Sequence, residues 1–265
     1  MSALTGIWRR VADHTWTHAV LRFLFNCRSY ADIEARRVAI RLGTVVTGST
    51  LLCLALSVPF NLKLDWGFRE GFPLTMLSVF MLFAIGHFCL KIHHAIGRGV
   101  PSTALWKVLA VSFIFLGFDD WLRIHETTDR VIHKIFKIRE TEFTDHLDDL
   151  LVALYAAAIA AILFRGRREL RQYRSALPFF IPASILAAVH CVLDFVVSSR
   201  SWIRGFVPDP IALEATIIWG EVAEECFKLS AEVFIVAASV RCYTVARDRV
   251  ALVKDNEVLG ATSPR

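Results

Sequence analysis

Long runs of apolar residues, separated by short charged segments, extend from position 38 to position 240 of the chain. Each run holds about 20 residues or more, which is the length that an α-helix needs to cross roughly 30 Å of hydrocarbon. The pattern predicts about six transmembrane helices, at residues 38–60, 73–96, 102 to about 126, 145–164, 177–197 and 211–240. The expected fold class is therefore all-α, a polytopic integral membrane protein with its helices in one bundle.

Composition supports this interpretation. Hydrophobic residues make up 55% of the 265 positions, and the mean hydropathy of +0.49 is too high for an ordinary soluble domain. The net charge of +5 comes without a basic patch interleaved with aromatic residues, so we expect membrane lipids as partners and no nucleic acid. The six cysteines are scattered and form no C-x-x-C pair, which argues against a zinc ribbon.

Lysine and arginine residues indicate the orientation of the chain in the membrane. They collect before the first run, between the second and third, between the fourth and fifth, and after the sixth, whereas the segment between the third and fourth is mixed in sign. By the positive-inside rule both termini are cytoplasmic, and a cell (inner) membrane is the expected location. The predicted regions are an amphipathic cytoplasmic or interfacial segment at 1–36, a transmembrane domain at 37–247 and a cytoplasmic C-terminal tail at 248–265.

The last apolar run carries five acidic residues and a lysine, which are Glu214, Glu221, Glu224, Glu225, Lys228 and Glu232. At about 100° per residue, all except Glu224 fall within an arc of roughly 60°, with Glu224 at its edge. They form one polar stripe. A charged side chain at a helix centre costs about 2.5 to 3.5 kcal/mol on insertion scales, so the stripe requires partners, bound ions or water.

In the predicted topology, the third to sixth helices bring carboxylates and imidazoles to the same outer half of the bilayer. Carboxylate and imidazole ligands favour Fe, Mn or Zn, and helical bundles commonly hold such metals. The sequence therefore predicts a divalent transition metal site. The candidate metal ligands are Asp119, Glu126, Asp149, His190, Asp194, Glu221 and Glu225. The candidate catalytic residues are Glu225, Asp119 and Lys228, with a carboxylate as general base.

These residues predict a metal-dependent membrane enzyme that acts on a lipid or another hydrophobic substrate entering from the bilayer. One alternative is a proton- or cation-coupled transporter or channel, because acidic chains build proton relays and Glu232 continues the stripe past the midplane. Another alternative is an accessory subunit, in which the charges pair with another membrane protein or with a second copy of the chain. The sequence leaves these alternatives open.

Overall fold

The computed structural model describes residues 30–57, 73–97, 103–136 and 147–261. Every regular element within these ranges is helical, which confirms the predicted all-α class. In chain order the helices are α1 Tyr30–Ser57, α2 Pro73–Ile96, α3 Thr103–Leu122, α4 Ile124–Phe136, α5 Leu147–Arg165, α6 Arg167–Leu170, a 3-10 helix at Arg171–Ala176, α7 Leu177–Ser198, α8 Arg200–Phe206 and α9 Pro210–Ala261.

Four of the described helical stretches are long and apolar enough to cross a membrane: Ile33–Leu56, Pro73–Ile96, Arg167–Ser198 and Pro210–Leu252. Large apolar side chains such as Phe80 and Val192 are more than half exposed on their outer faces. Apolar helices of this length with exposed apolar faces indicate a membrane protein.

Two of the predicted spans, the third and the fourth, are not long and apolar enough to be counted with these four. The 20-residue α3 contains Lys107, Asp119 and Asp120, and the apolar part of α5 is the shorter stretch Ala153–Arg165. Charge in the first case and length in the second lower their membrane-spanning character. The total of about six spans therefore stays a prediction.

Helix α9 lies at the centre of the bundle, where it packs against α7, α2 and α1, while α2 also packs against α3. The most apolar stretch of α9 is 72% buried, compared with 11% for the corresponding stretches of α1 and of the span that contains α7. Leu229 and Ala237 on α9 are fully buried. The middle of α9 is consequently surrounded by other helices, and its charged residues Glu225 and Glu232 are buried there.

Glycine allows α2 and α3 to approach each other closely. A Cβ atom at Gly86 would lie 2.7 Å from Cγ1 of Ile114 and 3.1 Å from the carbonyl oxygen of Ala110. A Cβ atom at Gly117 would lie 2.6 Å from the ring of Phe83. Small residues at such contacts permit close packing of membrane helices, and α2 and α3 pack closely against each other.

The sequence predicts that the third span is one continuous helix to about residue 126, but this prediction is wrong. Helix α3 ends at Leu122 and α4 begins at Ile124, because Arg123 has a φ of 54°. This left-handed conformation is unfavourable for residues other than glycine and interrupts the helix.

The observed helix ends can be compared with the boundaries of the three regions predicted from the sequence. Helix α9 continues to Ala261, beyond the end of the predicted transmembrane domain at residue 247. The predicted amphipathic segment at 1–36 lies outside the described residues except for its last residues, which belong to α1. That segment stays a prediction.

Candidate functional site

Three helices bring ionisable and hydroxyl side chains together in the middle of the bundle. We call Ser78 of α2, Asp120 of α3, and Glu225, Lys228 and Glu232 of α9 the central cluster. Nζ of Lys228 lies 2.9 Å from Oδ2 of Asp120 and 3.8 Å from Oε2 of Glu225. Oγ of Ser78 lies 2.9 Å from Oδ2 of Asp120 and 2.7 Å from Oε1 of Glu232. These contacts connect α2, α3 and α9.

The periodicity of α9 explains why its three members meet. Glu225, Lys228 and Glu232 are spaced i, i+3 and i+7, which places them on one face of an α-helix. Glu225 and Glu232 are each 6% exposed, and the side chain of Lys228 is 21% exposed. The predicted polar stripe is thus directed into the bundle over these positions, whereas Glu214 nearer the start of α9 is exposed.

The central cluster contains more potential negative charge than positive charge. If all its groups were ionised, three carboxylates would surround one ammonium group. Buried charges are costly unless they are paired and hydrogen-bonded. Among the described residues, Oε2 of Glu232 is buried and has no hydrogen-bond partner. The arrangement therefore favours an additional positive charge, supplied by a bound proton or a cation.

A second acidic contact lies between α7 and α9. Nδ1 of His190 is 3.5 Å from Oε1 of Glu224, and both side chains are about four-fifths buried. Asp194 follows His190 by one helical turn on α7, and Glu221 precedes Glu224 by one turn on α9. We call His190 and Glu224 the α7–α9 pair.

The break between α3 and α4 has its own set of contacts, which we call the junction cluster. Asp119 is 2% exposed. Its Oδ1 accepts a hydrogen bond of 3.0 Å from the backbone N–H of His125, and its Oδ2 lies 2.8 Å from Nδ1 of the same histidine. Glu126 accepts hydrogen bonds from Arg123 and, at 2.6 Å, from Arg130. Asp119 therefore caps the first turn of α4, as a side-chain oxygen at a helix start commonly does.

The predicted metal ligands are distributed over these places. Glu225 is in the central cluster, and Asp119 and Glu126 are in the junction cluster. His190 is in the α7–α9 pair, with Asp194 and Glu221 each one helical turn from a member of that pair. Asp149 is on α5, and its side chain lies outside the described residues. Within the described part of the chain, no group of three or more histidine, cysteine, aspartate or glutamate residues could hold a metal ion. The metal site has no support from these residues.

The predicted catalytic residues are divided in the same way. Glu225 and Lys228 lie together in the central cluster, whereas Asp119 binds His125 at the junction. The site residues predicted from the sequence do not include Ser78, Asp120, Glu224 or Glu232. Glu224 and Glu232 belonged to the stripe and could have been included, but a serine in an apolar helix such as Ser78 carries no sequence signal that distinguishes it.

The fold and the central cluster are those of a helical membrane protein in which buried charged residues connect the central helix α9 to α2 and α3. The chain belongs to the family described as a domain of unknown function (DUF8692), whose model matches residues 35–242. This range contains every member of the central cluster. No curated protein and no solved structure matches the chain.

Proposed function

We propose that this protein is a proton- or cation-coupled membrane transporter or channel, and that the central cluster binds the ion that moves. The observation that carries this proposal is the carboxyl group of Glu232, which is buried beside Asp120 and Lys228 and whose Oε2 has no hydrogen-bond partner among the described residues. A site of this kind is stable when it holds an added positive charge and can release it when the surroundings change.

The exposure of acidic residues along α9 supports an access route to the cluster. Glu214 is exposed, Glu221 and Glu224 are partly buried, and Glu225 and Glu232 are buried. Because successive members are one to seven residues apart on one helix, they form a graded series from the surface to the interior. Chains of acidic residues are common in proton pathways of pumps and transporters.

Flux measurements on the full chain in proteoliposomes test this proposal. A pH-sensitive dye inside the vesicles reports protons, and ion-sensitive dyes report Na⁺ and K⁺ under an imposed membrane potential. We expect flux in the wild type, loss of most of it in Glu225→Gln and Glu232→Gln, and full flux in Asp248→Asn, an exposed control on the same helix outside the acidic series. The absence of any ion movement by the wild type would refute the proposal.

A metal-dependent membrane enzyme acting on a lipid or another hydrophobic substrate is the second candidate, for which the α7–α9 pair supplies two donor groups, fewer than a complete site requires. The imidazole of His190 and the carboxylate of Glu224 come from two helices and approach to 3.5 Å, and nitrogen and oxygen donors together suit Zn, Fe or Mn. Metal analysis of purified wild type and His190→Ala tests it. Stoichiometric metal that is lost in His190→Ala would support the enzyme, and only trace metal in the wild type would remove it.

We also propose the finer topology, with about six spans, both termini cytoplasmic and the inner membrane as location. Helix α3 contains three charged residues, but Asp120 is paired with Lys228 at 2.9 Å, which lowers the cost of placing it in the membrane. Accessibility of N-terminal and C-terminal tags to a protease in intact and in lysed cells tests the orientation. Cleavage of either tag in intact cells would contradict it.

A further inference from the structure

The hydroxyl group of Ser78 contacts two carboxyl groups at once. Its Oγ lies 2.9 Å from Oδ2 of Asp120 and 2.7 Å from Oε1 of Glu232. A serine hydroxyl has one hydrogen and can donate it to one acceptor only. If both carboxyl groups were ionised, one of the two contacts would place lone pairs of electrons against each other. Both contacts are favourable when one of the carboxyl groups carries a proton and donates it to Oγ.

The surroundings indicate which of the two carboxyl groups carries that proton. Oδ2 of Asp120 lies 2.9 Å from the ammonium group of Lys228, which stabilises the ionised form of Asp120. Glu232 is 6% exposed, and its Oε2 is buried without a hydrogen-bond partner among the described residues. An ionised Glu232 would leave a charged oxygen in that position, whereas the protonated acid leaves a neutral carbonyl oxygen, which costs less.

We infer that Glu232 is a proton-binding site and that the ion coupled to transport is a proton. The second half of this inference rests on the proposed transport function, whereas the first half does not. The hydrogen bonds then have one direction throughout: Oε1–H of Glu232 donates to Oγ of Ser78, Oγ–H of Ser78 donates to Oδ2 of Asp120, and Nζ–H of Lys228 donates to the same oxygen.

This arrangement also permits transfer of the proton. The O–H bond of Glu232 breaks as a new O–H bond forms at Oγ of Ser78, while the original O–H bond of Ser78 breaks and a new one forms at Oδ2 of Asp120. Glu232 ends as the carboxylate, Ser78 keeps one hydrogen, and Asp120 ends as the neutral acid. Among the described residues, the charged or titratable groups that face this route are Lys228 and Glu225 on α9 and Asp120 on α3. The α7–α9 pair lies close enough to interact electrostatically with Lys228. The step requires no other reactant.

Infrared spectroscopy of the full chain in lipid nanodiscs tests the proton site directly, because only a protonated carboxyl group has the C=O stretching band of an acid. We expect this band in the wild type at neutral pH, its loss in Glu232→Gln and its retention in Glu214→Gln. In Glu232→Asp the band should persist at a shifted frequency, which separates a lost proton from a misfolded protein. In Ser78→Ala the band should shift, because the O–H group of Glu232 has lost Oγ of Ser78 as its hydrogen-bond acceptor.

The outcomes distinguish this inference from the proposed function. If Glu232→Gln retains the whole acid band, Glu232 does not carry the proton and the inference is wrong, even when the wild type moves protons. If the band behaves as expected but proteoliposomes show no proton flux, the proton site stands and the transport proposal fails. A band that disappears when Na⁺ replaces K⁺ would identify a site for Na⁺ and overturn the assignment to a proton.

Discussion

Asp119 and Asp120 are neighbours in the chain, yet they belong to different networks. Successive residues of an α-helix point about 100° apart, so the two carboxylates face different surroundings. Asp119 binds the backbone and imidazole of His125, six residues further along the chain. Asp120 instead contacts Ser78 on α2 and Lys228 on α9. One acid stabilises a local break in the chain, and the other connects three helices.

The charge balance of the two networks differs as well. In the junction cluster, Glu126 is accompanied by two arginines and Asp119 by a histidine. In the central cluster, the ammonium group of Lys228 contacts Asp120 and Glu225, whereas Glu232 contacts the neutral hydroxyl group of Ser78. A balanced network mainly stabilises structure, whereas an unbalanced buried network has the capacity to take up and release a positive charge. We therefore place the proposed ion site in the second network.

The strongest way to break the central cluster is to remove its cation. Replacing Lys228 by alanine leaves Asp120 and Glu225 as buried acids without their ammonium partner, which we expect to lower the free energy of unfolding by about 3–5 kcal/mol. Thermal unfolding in detergent measures this effect. Lys107→Ala on α3 is the matched control, because Lys107 is exposed, and it should change stability by about 0.5 kcal/mol or less. Equal losses of stability in both variants would show that the contacts of Lys228 in the central cluster contribute no more than an exposed lysine does.

The adjacent aspartates provide a paired test. In Asp119→Ala the backbone N–H of His125 loses its acceptor, so we expect a destabilisation of about 1–3 kcal/mol and retention of proton flux. In Asp120→Asn we expect the flux to be lost, since the carboxylate that receives the proton is gone. Unfolding curves and proteoliposome flux for both variants give the answer. Loss of flux in Asp119→Ala with a folded protein would contradict the division into two networks.

A substitution at Arg123, within the junction, is expected to raise stability, whereas the preceding substitutions are expected to lower it. Glycine adopts the φ of 54° found at this position more easily than arginine does. We expect Arg123→Gly to raise the melting temperature slightly, equivalent to about 0.5–1 kcal/mol, despite losing its exposed contact with Glu126. Arg130→Gly is the control, because Arg130 lies inside α4 and glycine there should cost about 1 kcal/mol. A destabilised Arg123→Gly would mean that the ion pair outweighs the strain.

The smallest effect is expected at Glu126, one of the predicted metal ligands. Its arginine partners are largely exposed, and such surface ion pairs contribute about 0–1 kcal/mol. Glu126→Gln should therefore leave stability nearly unchanged and should leave the metal content of the purified protein equal to that of the wild type. A fall in bound metal would return Glu126 to the list of ligands.

Apolar patterning was sufficient to predict several of the helices. Helix α2 has the predicted bounds of 73–96, and α7 ends within one residue of the predicted 177–197, because long apolar runs must satisfy their backbone polar groups internally. The break at Arg123 was not predictable in this way. It depends on the bond between Asp119 and His125, and the sequence around it is equally compatible with a continuous helix.

The polar face of α9 followed from periodicity, but its partners did not. A predicted topology gives the depth of each residue in the membrane, but depth does not specify the direction in which a side chain points around the helix axis. Asp119 and Asp120 share a depth and still have different partners. Ser78 could be found only from the packing of α2 against α3 and α9.

The length of α9 has a mechanical consequence. Its 52 residues correspond to about 78 Å at 1.5 Å per residue, more than twice the roughly 30 Å of the hydrocarbon layer. The helix is continuous from Pro210 to Ala261, so the segment that carries Lys228 and Glu232 is joined to the C-terminal turns without a hinge. A rigid helix transmits rotation about its axis along its whole length, so a rotation of α9 at its C-terminal end would also displace Lys228 and Glu232.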